Sequence, residues 1–136
     1  MKCVRSLFLL SVLCAFSACI IIDPLEPLSE FHVQNMSEDS VICIYHCCAP
    51  ELSNQQNEIR LASGEQRIMY QEDKNDTLSL SGLPHYNFRD MLFTSTNGDT
   101  LLYLSSIVDS LWLQYDTTFY KGVYGGHRWI YKFYKP

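Results

Sequence analysis

Val41–Cys48 reads VICIYHCC, with three thiols and an imidazole in its last six residues and no acidic or basic side chain besides His46. Two readings compete for it: a metal or redox site, or a buried strand rich in sulfur. On a strand, successive side chains face opposite ways. Cys43 and Cys47 then share one face, and His46 and Cys48 the other. At roughly 3.3 Å per residue, Cys43 and Cys47 lie about 13 Å apart. Zinc needs its ligands within roughly 2.0–2.3 Å, so neither pair holds a metal by itself. Cys47 and Cys48 cannot form an ordinary disulfide while the strand stays regular. Free cysteine is also among the most readily buried residues. The run therefore reads as a central strand, apolar on both faces apart from His46. Three is an odd number of thiols, which leaves open a bond from one of them to another chain.

The same period-2 logic extends outward. Phe31 and Val33 alternate with His32 and Gln34, and Ser37–Ser40 makes a turn. Ala49 precedes Pro50, which disfavours helical continuation. Glu58–Leu61, Gln66–Tyr70, Thr77–Leu80, Met91–Ser95, Leu101–Leu104, Leu111–Tyr115, Phe119–Tyr124 and Arg128–Tyr134 read as further strands. Asn97-Gly98 signals a hairpin, Gly125-Gly126 fits a two-residue turn before the last strand, and Ser105–Ser110 suggests a brief helical turn. Nine tyrosines and seven phenylalanines in 136 residues favour strands. The expected fold is all-β, an antiparallel β-sandwich of the immunoglobulin-like kind, with a small barrel as the alternative.

Upstream, Lys2 and Arg5 precede an apolar run, followed by Ser17-Ala18-Cys19. A basic start, a short hydrophobic middle and a small-residue exit make a signal peptide. The uncharged stretch Ser6–Ile22 is only about 17 residues long, at the lower limit for a membrane span, and no basic cluster follows it. Phe16-Ser17-Ala18-Cys19 resembles a bacterial lipobox. That resemblance implies cleavage before Cys19, diacylation of its thiol and acylation of the new amino terminus. Residues 1–18 are then the signal peptide, 19–30 the lipidated cysteine with a tether stiffened by Pro24 and Pro27, and 31–136 the domain. Losing Lys2 and Arg5 takes the formal charge from −5 to −7, which argues against nucleic-acid binding.

Thr117–Pro136 has no acidic side chain, four basic residues and seven aromatics, whereas all fifteen acidic residues lie before it. On the last strand Trp129, Tyr131 and Phe133 share one face, and Arg128, Ile130, Lys132 and Tyr134 the other. One reading packs the Trp face into the core and leaves the lysines to guard an edge. The other makes Tyr120, Tyr124 and Tyr134 a platform that stacks on sugar rings or on a partner.

Asn35-Met36-Ser37, Pro50, Ser63-Gly64-Glu65, Leu92–Leu101 and Trp129-Ile130-Tyr131 together resemble a family of small uncharacterised lipoproteins from Bacteroidetes. The resemblance spans most of 31–136 and names no activity. Asp followed by Ser or Thr and then an apolar residue or Thr also resembles the O-glycosylation signal of proteins exported in that phylum. It would mark Ser40, Thr77, Thr100, Ser110 and Thr117. The competing reading is that Asp makes a turn before the next strand opens. Export to the outer face in that phylum usually goes with an acidic cluster after the lipid cysteine. Ile20-Ile21-Ile22 stands there instead, which implies the outer membrane with the domain facing the periplasm.

His32, His46, His85 and His127 are scattered, with no HExxH, GxSxG or phosphate-loop spacing. His85 and Asp90 are five residues apart in a region read as loop. No catalytic constellation, metal site or cofactor is expected. The expected function is a membrane-anchored envelope lipoprotein, a non-enzymatic binding or assembly module for a protein or glycan. The alternative is a thiol-dependent or hydrolytic enzyme built on the Cys43–Cys48 strand.

Overall fold

The structure is a computed structural model and describes residues 28–48, 55–71, 82–119 and 124–136. Its strands are β1 (Leu28–Asn35), β2 (Val41–Cys47), β3 (Gln56–Leu61), β4 (Gln66–Gln71), β5 (Phe88–Ser95), β6 (Thr100–Leu104), β7 (Trp112–Phe119) and β8 (Tyr124–Phe133). A single helical turn, α1 (Pro84–Asn87), precedes β5, and a 3-10 turn (Asp109–Leu111) precedes β7. Two four-stranded sheets form, in the orders β4-β1-β8-β7 and β3-β2-β5-β6. Among the described residues they face each other without closing into a barrel, which makes the fold the expected β-sandwich.

The VICIYHCC run is β2, a central strand between β3 and β5, and its burial alternates along its length. Val41, Cys43, Tyr45 and Cys47 point into the sandwich. The core they join is aromatic. Phe93 stacks on Phe133 at 4.4 Å, Phe88 lies parallel to Trp112 at 5.6 Å, and Phe31 meets both Phe88 and Trp112 edge-on. Offset and edge-on pairs contribute beyond the area they bury. The Tyr45 hydroxyl donates to the Met69 carbonyl at 2.8 Å, bridging the two sheets. Trp129, Tyr131 and Phe133 take the core-facing side of β8, as their alternation predicts.

The chain changes sheets twice at one corner, between β1 and β2 and between β3 and β4. Asn35, wholly buried, locks the two crossings together. Its Nδ2 donates to the carbonyls of Asp39 (2.7 Å) and Ala62 (3.1 Å), with Leu61 O farther off at 3.4 Å. Its Oδ1 accepts from the backbone N–H and the hydroxyl of Ser37. Its backbone N–H donates to Glu65 O, and its carbonyl accepts from Gly64 N–H. Gly64 has φ +72°, the left-handed conformation that glycine adopts without penalty. Asn35-Met36-Ser37 and Ser63-Gly64-Glu65 thus meet in space.

Several expectations shift. β1 starts at Leu28, so Ser29 and Glu30 are buried sheet residues and not tether. Gly125 and Gly126 lie inside β8, opposite Thr118 and Thr117, and are not a turn. Glycine permits a turn but does not impose one, and the β7 ladder wins. The strand expected at Leu111–Tyr115 starts at Trp112, after the 3-10 turn that holds Leu111, and reaches Phe119. β1 pairs with β8 in parallel, whereas every other strand pair is antiparallel. Asn97-Gly98 does turn between β5 and β6, with Gly98 at φ +93°. The strand expected at Thr77–Leu80 lies outside the described residues.

Asn35→Leu keeps the heavy-atom number and branching of the side chain but strands the carbonyls and the N–H that Asn35 satisfies. Each buried polar group left without a partner costs about 1–3 kcal/mol. The urea midpoint of Asn35→Leu is expected to fall by the equivalent of about 2–4 kcal/mol. A loss below about 0.5 kcal/mol would show that the corner does not depend on this amide.

Candidate functional site

The outward face of the β4-β1-β8-β7 sheet holds a trough of about 260 Å³ lined by Gln66, Tyr115, Asp116, Thr117, Arg128 and Ile130. Cross-strand register explains who meets whom. Tyr115 of β7 is directly opposite Arg128 of β8, and Arg128 is opposite Glu30 of β1. One pair along, Leu113, Ile130, His32 and Ile68 form the next row.

Beside the trough the sheet carries charge with little water. The Glu30 and His32 side chains keep only 8% exposure each. Arg128 Nε donates to Glu30 Oε2 at 2.8 Å. His32 Nε2 stands 3.1 Å from the same oxygen, at ion-pair distance without hydrogen-bond alignment. His32 Nδ1 lies 3.0 Å from the Gln66 amide nitrogen. With that amide as donor, Nδ1 is the acceptor and the ring proton sits on Nε2, facing Glu30. Burial pushes the Glu30 carboxyl up, but the Arg128 guanidinium bonded to it, with the His32 ring beside it, more than offsets this, and the group titrates below its usual value.

A second polar cluster lies on the outward face of the other sheet. His46 Nδ1 is 2.6 Å from Asp90 Oδ1, and Arg89 Nε donates to Asp90 Oδ2 at 2.9 Å. His46 and Asp90 are cross-strand partners, and a bulge between Asp90 and Phe88 brings Arg89 in. Burial raises the Asp90 carboxyl, yet the hydrogen bonds from His46 and Arg89 bring it below its ordinary value. Asp90 therefore belongs to His46. His85 takes another carboxylate, Asp109, whose oxygens accept from its backbone N–H at 2.9 Å and meet its Nδ1 at 2.5 Å. His85 sits in α1, not in a loop, and its ring lies against Tyr86.

The thiols of Cys43 and Cys47 in β2, and of Cys48 just past it, are free and poorly suited to attack. Burial pushes Cys43 far up, Cys47 to about 11, and Cys48 upward as well. A thiolate is the reactive species, so burial disfavours the reactive form of all three. Cys48 does lie on the His46 side, as alternation predicts, but burial outweighs the help it gets from Arg89. Among the described residues no three His, Cys, Asp or Glu gather to hold a metal ion, and no helix is long and apolar enough to cross a membrane.

Of the tyrosine platform, Tyr134 is 61% exposed just past the end of β8. Tyr124 opens β8 opposite Phe119, and Tyr120 lies outside the described residues. The tyrosine at the trough is Tyr115, 47% exposed, which the platform reading missed. The signal that could have found it is its odd spacing from Trp112, which turns it to the opposite face of β7; its register against Arg128 is not legible in the sequence. Of the residues marked for glycosylation, Ser40, Thr100 and Ser110 are exposed, and Thr117 is half-buried in the trough wall. Thr77 and Cys19 lie outside the described residues. Asp39, Asp99 and Asp109 do stand at turns, where Asp39 pairs with Lys135 and Asp109 with His85.

No family model, curated protein or solved structure matches the chain.

Arg128→Met leaves Glu30 buried without its main partner. Breaking a buried ion pair costs about 3–5 kcal/mol. Arg128 is 40% exposed, so about 2 kcal/mol is expected at pH 7, most of it recovered in Glu30→Gln/Arg128→Met. The pH dependence separates the variants. In the native chain the depressed carboxyls of Glu30 and Asp90 stabilise above their unfolded values, and that stability is lost as pH falls below about 5. In Arg128→Met burial of Glu30 is opposed by His32 alone, so the gap to the native chain narrows in acid. Urea midpoints from pH 7 to pH 3 read this, and a gap constant with pH would contradict it.

Alkylation with iodoacetamide at pH 7.5 is expected to leave Cys43 and Cys47 unmodified in the native protein and to modify both in urea. Rapid native labelling of either, read by peptide mass spectrometry, would contradict their placement in the core.

Proposed function

We propose that this chain is a lipid-anchored envelope protein whose β-sandwich is a non-enzymatic binding module, held by acylated Cys19 at the outer membrane and facing the periplasm. The address rests on the N-terminal residues: basic start, apolar middle, Phe16-Ser17-Ala18-Cys19, and a proline-bearing tether. The family resemblance of 31–136 to small Bacteroidetes lipoproteins agrees with it. Each buried acyl CH₂ contributes about 0.8 kcal/mol, so two or three chains anchor a small domain durably.

The binding role rests on one observation. A concave trough lies on the outward face of a sheet, beside an Arg128–Glu30 pair whose carboxylate is nearly buried, and under an exposed tyrosine. A concave site with a few convergent polar groups is the ordinary form of a ligand site. The raised thiols weigh against the thiol-enzyme alternative, because a nucleophilic cysteine needs its thiolate.

Tritiated palmitate is expected to label the wild type in its native host and not Cys19→Ser, which should also wash off membranes in high salt. Equal membrane retention of Cys19→Ser would overturn the anchor. Affinity capture from detergent-solubilised envelopes tests the module itself. Recovery of the bait with no envelope protein or glycan above background would count against binding.

A further inference from the structure

We propose that the trough over Arg128 takes one ring of a neutral sugar, stacked on Tyr115 and hydrogen-bonded by Arg128 and Gln66. This rests on the reading of the sandwich as a binding module and names its ligand.

Charge is the first argument. Glu30 and Arg128 neutralise each other across 2.8 Å, and the other charged lining residue, Asp116, is almost fully in water beside His127. An anionic ligand would approach Glu30 and Asp116. A cation would meet Arg128, with Glu30 already engaged. A neutral ligand meets neither repulsion.

The donors are the second argument. Arg128 commits its Nε–H to Glu30, which fixes the guanidinium plane and leaves its remaining N–H groups as donors. Gln66 gives one amide hydrogen to His32 and retains a second hydrogen and a carbonyl oxygen. Thr117 adds a hydroxyl on the wall. Planar groups held by second partners lose little freedom on binding, which suits a ligand made of hydroxyls.

Shape is the third. Tyr115 and Ile130 supply an apolar wall next to those donors. A pyranose has the same division, with C–H groups on a face and hydroxyls at the rim, and aromatic side chains accept such amphipathic faces. The volume of about 260 Å³ falls just under the roughly 300–1,000 Å³ of sites for drug-sized ligands. It fits one ring, with the rest of a longer glycan lying outside.

The test is ¹⁵N NMR of the full chain in a detergent without a sugar headgroup. Methyl glucoside, methyl galactoside and methyl N-acetylglucosaminide are titrated to millimolar levels beside sodium acetate and sodium phosphate. At least one glycoside is expected to shift the amides of 115–117 and 128–130 saturably. Tyr115→Ala should weaken that binding by about five- to tenfold. Tyr115→Phe should retain it, as should Leu113→Ala, an exposed neighbour on the same face outside the trough. Saturable shifts with acetate or phosphate alone would overturn the neutral-sugar assignment while leaving the trough a binding site. Shifts from no probe, or a glycoside response undiminished in Tyr115→Ala, would overturn the site itself. Palmitate labelling stands apart from all of these outcomes.

Discussion

One buried amide organises this sandwich. The two sheets hold together by aromatic packing, but packing is non-directional and does not say where the chain must cross from sheet to sheet. Asn35 does. Its side chain satisfies carbonyls of the Asp39 turn and the Ala62 turn, while its backbone bonds Gly64 and Glu65. In a low-dielectric corner such a network is favourable only when complete, so both crossings are fixed at once. The next link is Met36 N–H, which donates to Phe133 O at 2.8 Å and brings the end of the last strand to the same corner. Lys135 adds a surface pair with Asp39.

That corner sets the register on which the outward face depends. β1 runs into it beside β8, and the pairing places Glu30 opposite Arg128 and His32 opposite Ile130. β7 then adds Tyr115 next to Arg128. No two of Glu30, Gln66, Tyr115 and Arg128 come from the same strand. The trough is a product of sheet order, in which two central strands provide charged groups and two edge strands provide the rim. The same rule assembles His46 and Asp90 on the opposite sheet, from β2 and β5.

Local alternation carried the sequence reading a long way. It put Cys43 and Cys47 on one face of a strand and His46 and Cys48 on the other, it gathered Trp129, Tyr131 and Phe133 on one face of the last strand, and Asn97-Gly98 located a hairpin. These judgements need only period 2 and turn chemistry. The failures share a different cause. Glu30 looked like tether because two prolines precede it and a charge usually marks solvent, and only its pairing with a residue 98 positions away makes burial tolerable. Gly125-Gly126 looked like a turn because the β7 ladder that extends them is invisible in one strand. Asp90 read as a loop residue five positions from His85, when it lies on a strand and its partner, His46, is 44 residues away. Long-range register decides all three, and composition does not encode it.

The parallel pairing of the first and last strands has a consequence for biosynthesis. A chain emerging N-terminus first presents β1 long before β8 exists, and the β4-β1 ribbon must wait with one flank uncovered until the final dozen residues appear. Loop closure over nearly the whole length makes such a topology slow to complete. An unzipped flank rich in amide groups invites pairing with foreign strands. A C-terminal truncation that removed the whole of β8 would leave that vulnerable state permanent, so holding factors that shield nascent or translocating polypeptides would matter more for this fold than for a sandwich whose opening strands pair with each other.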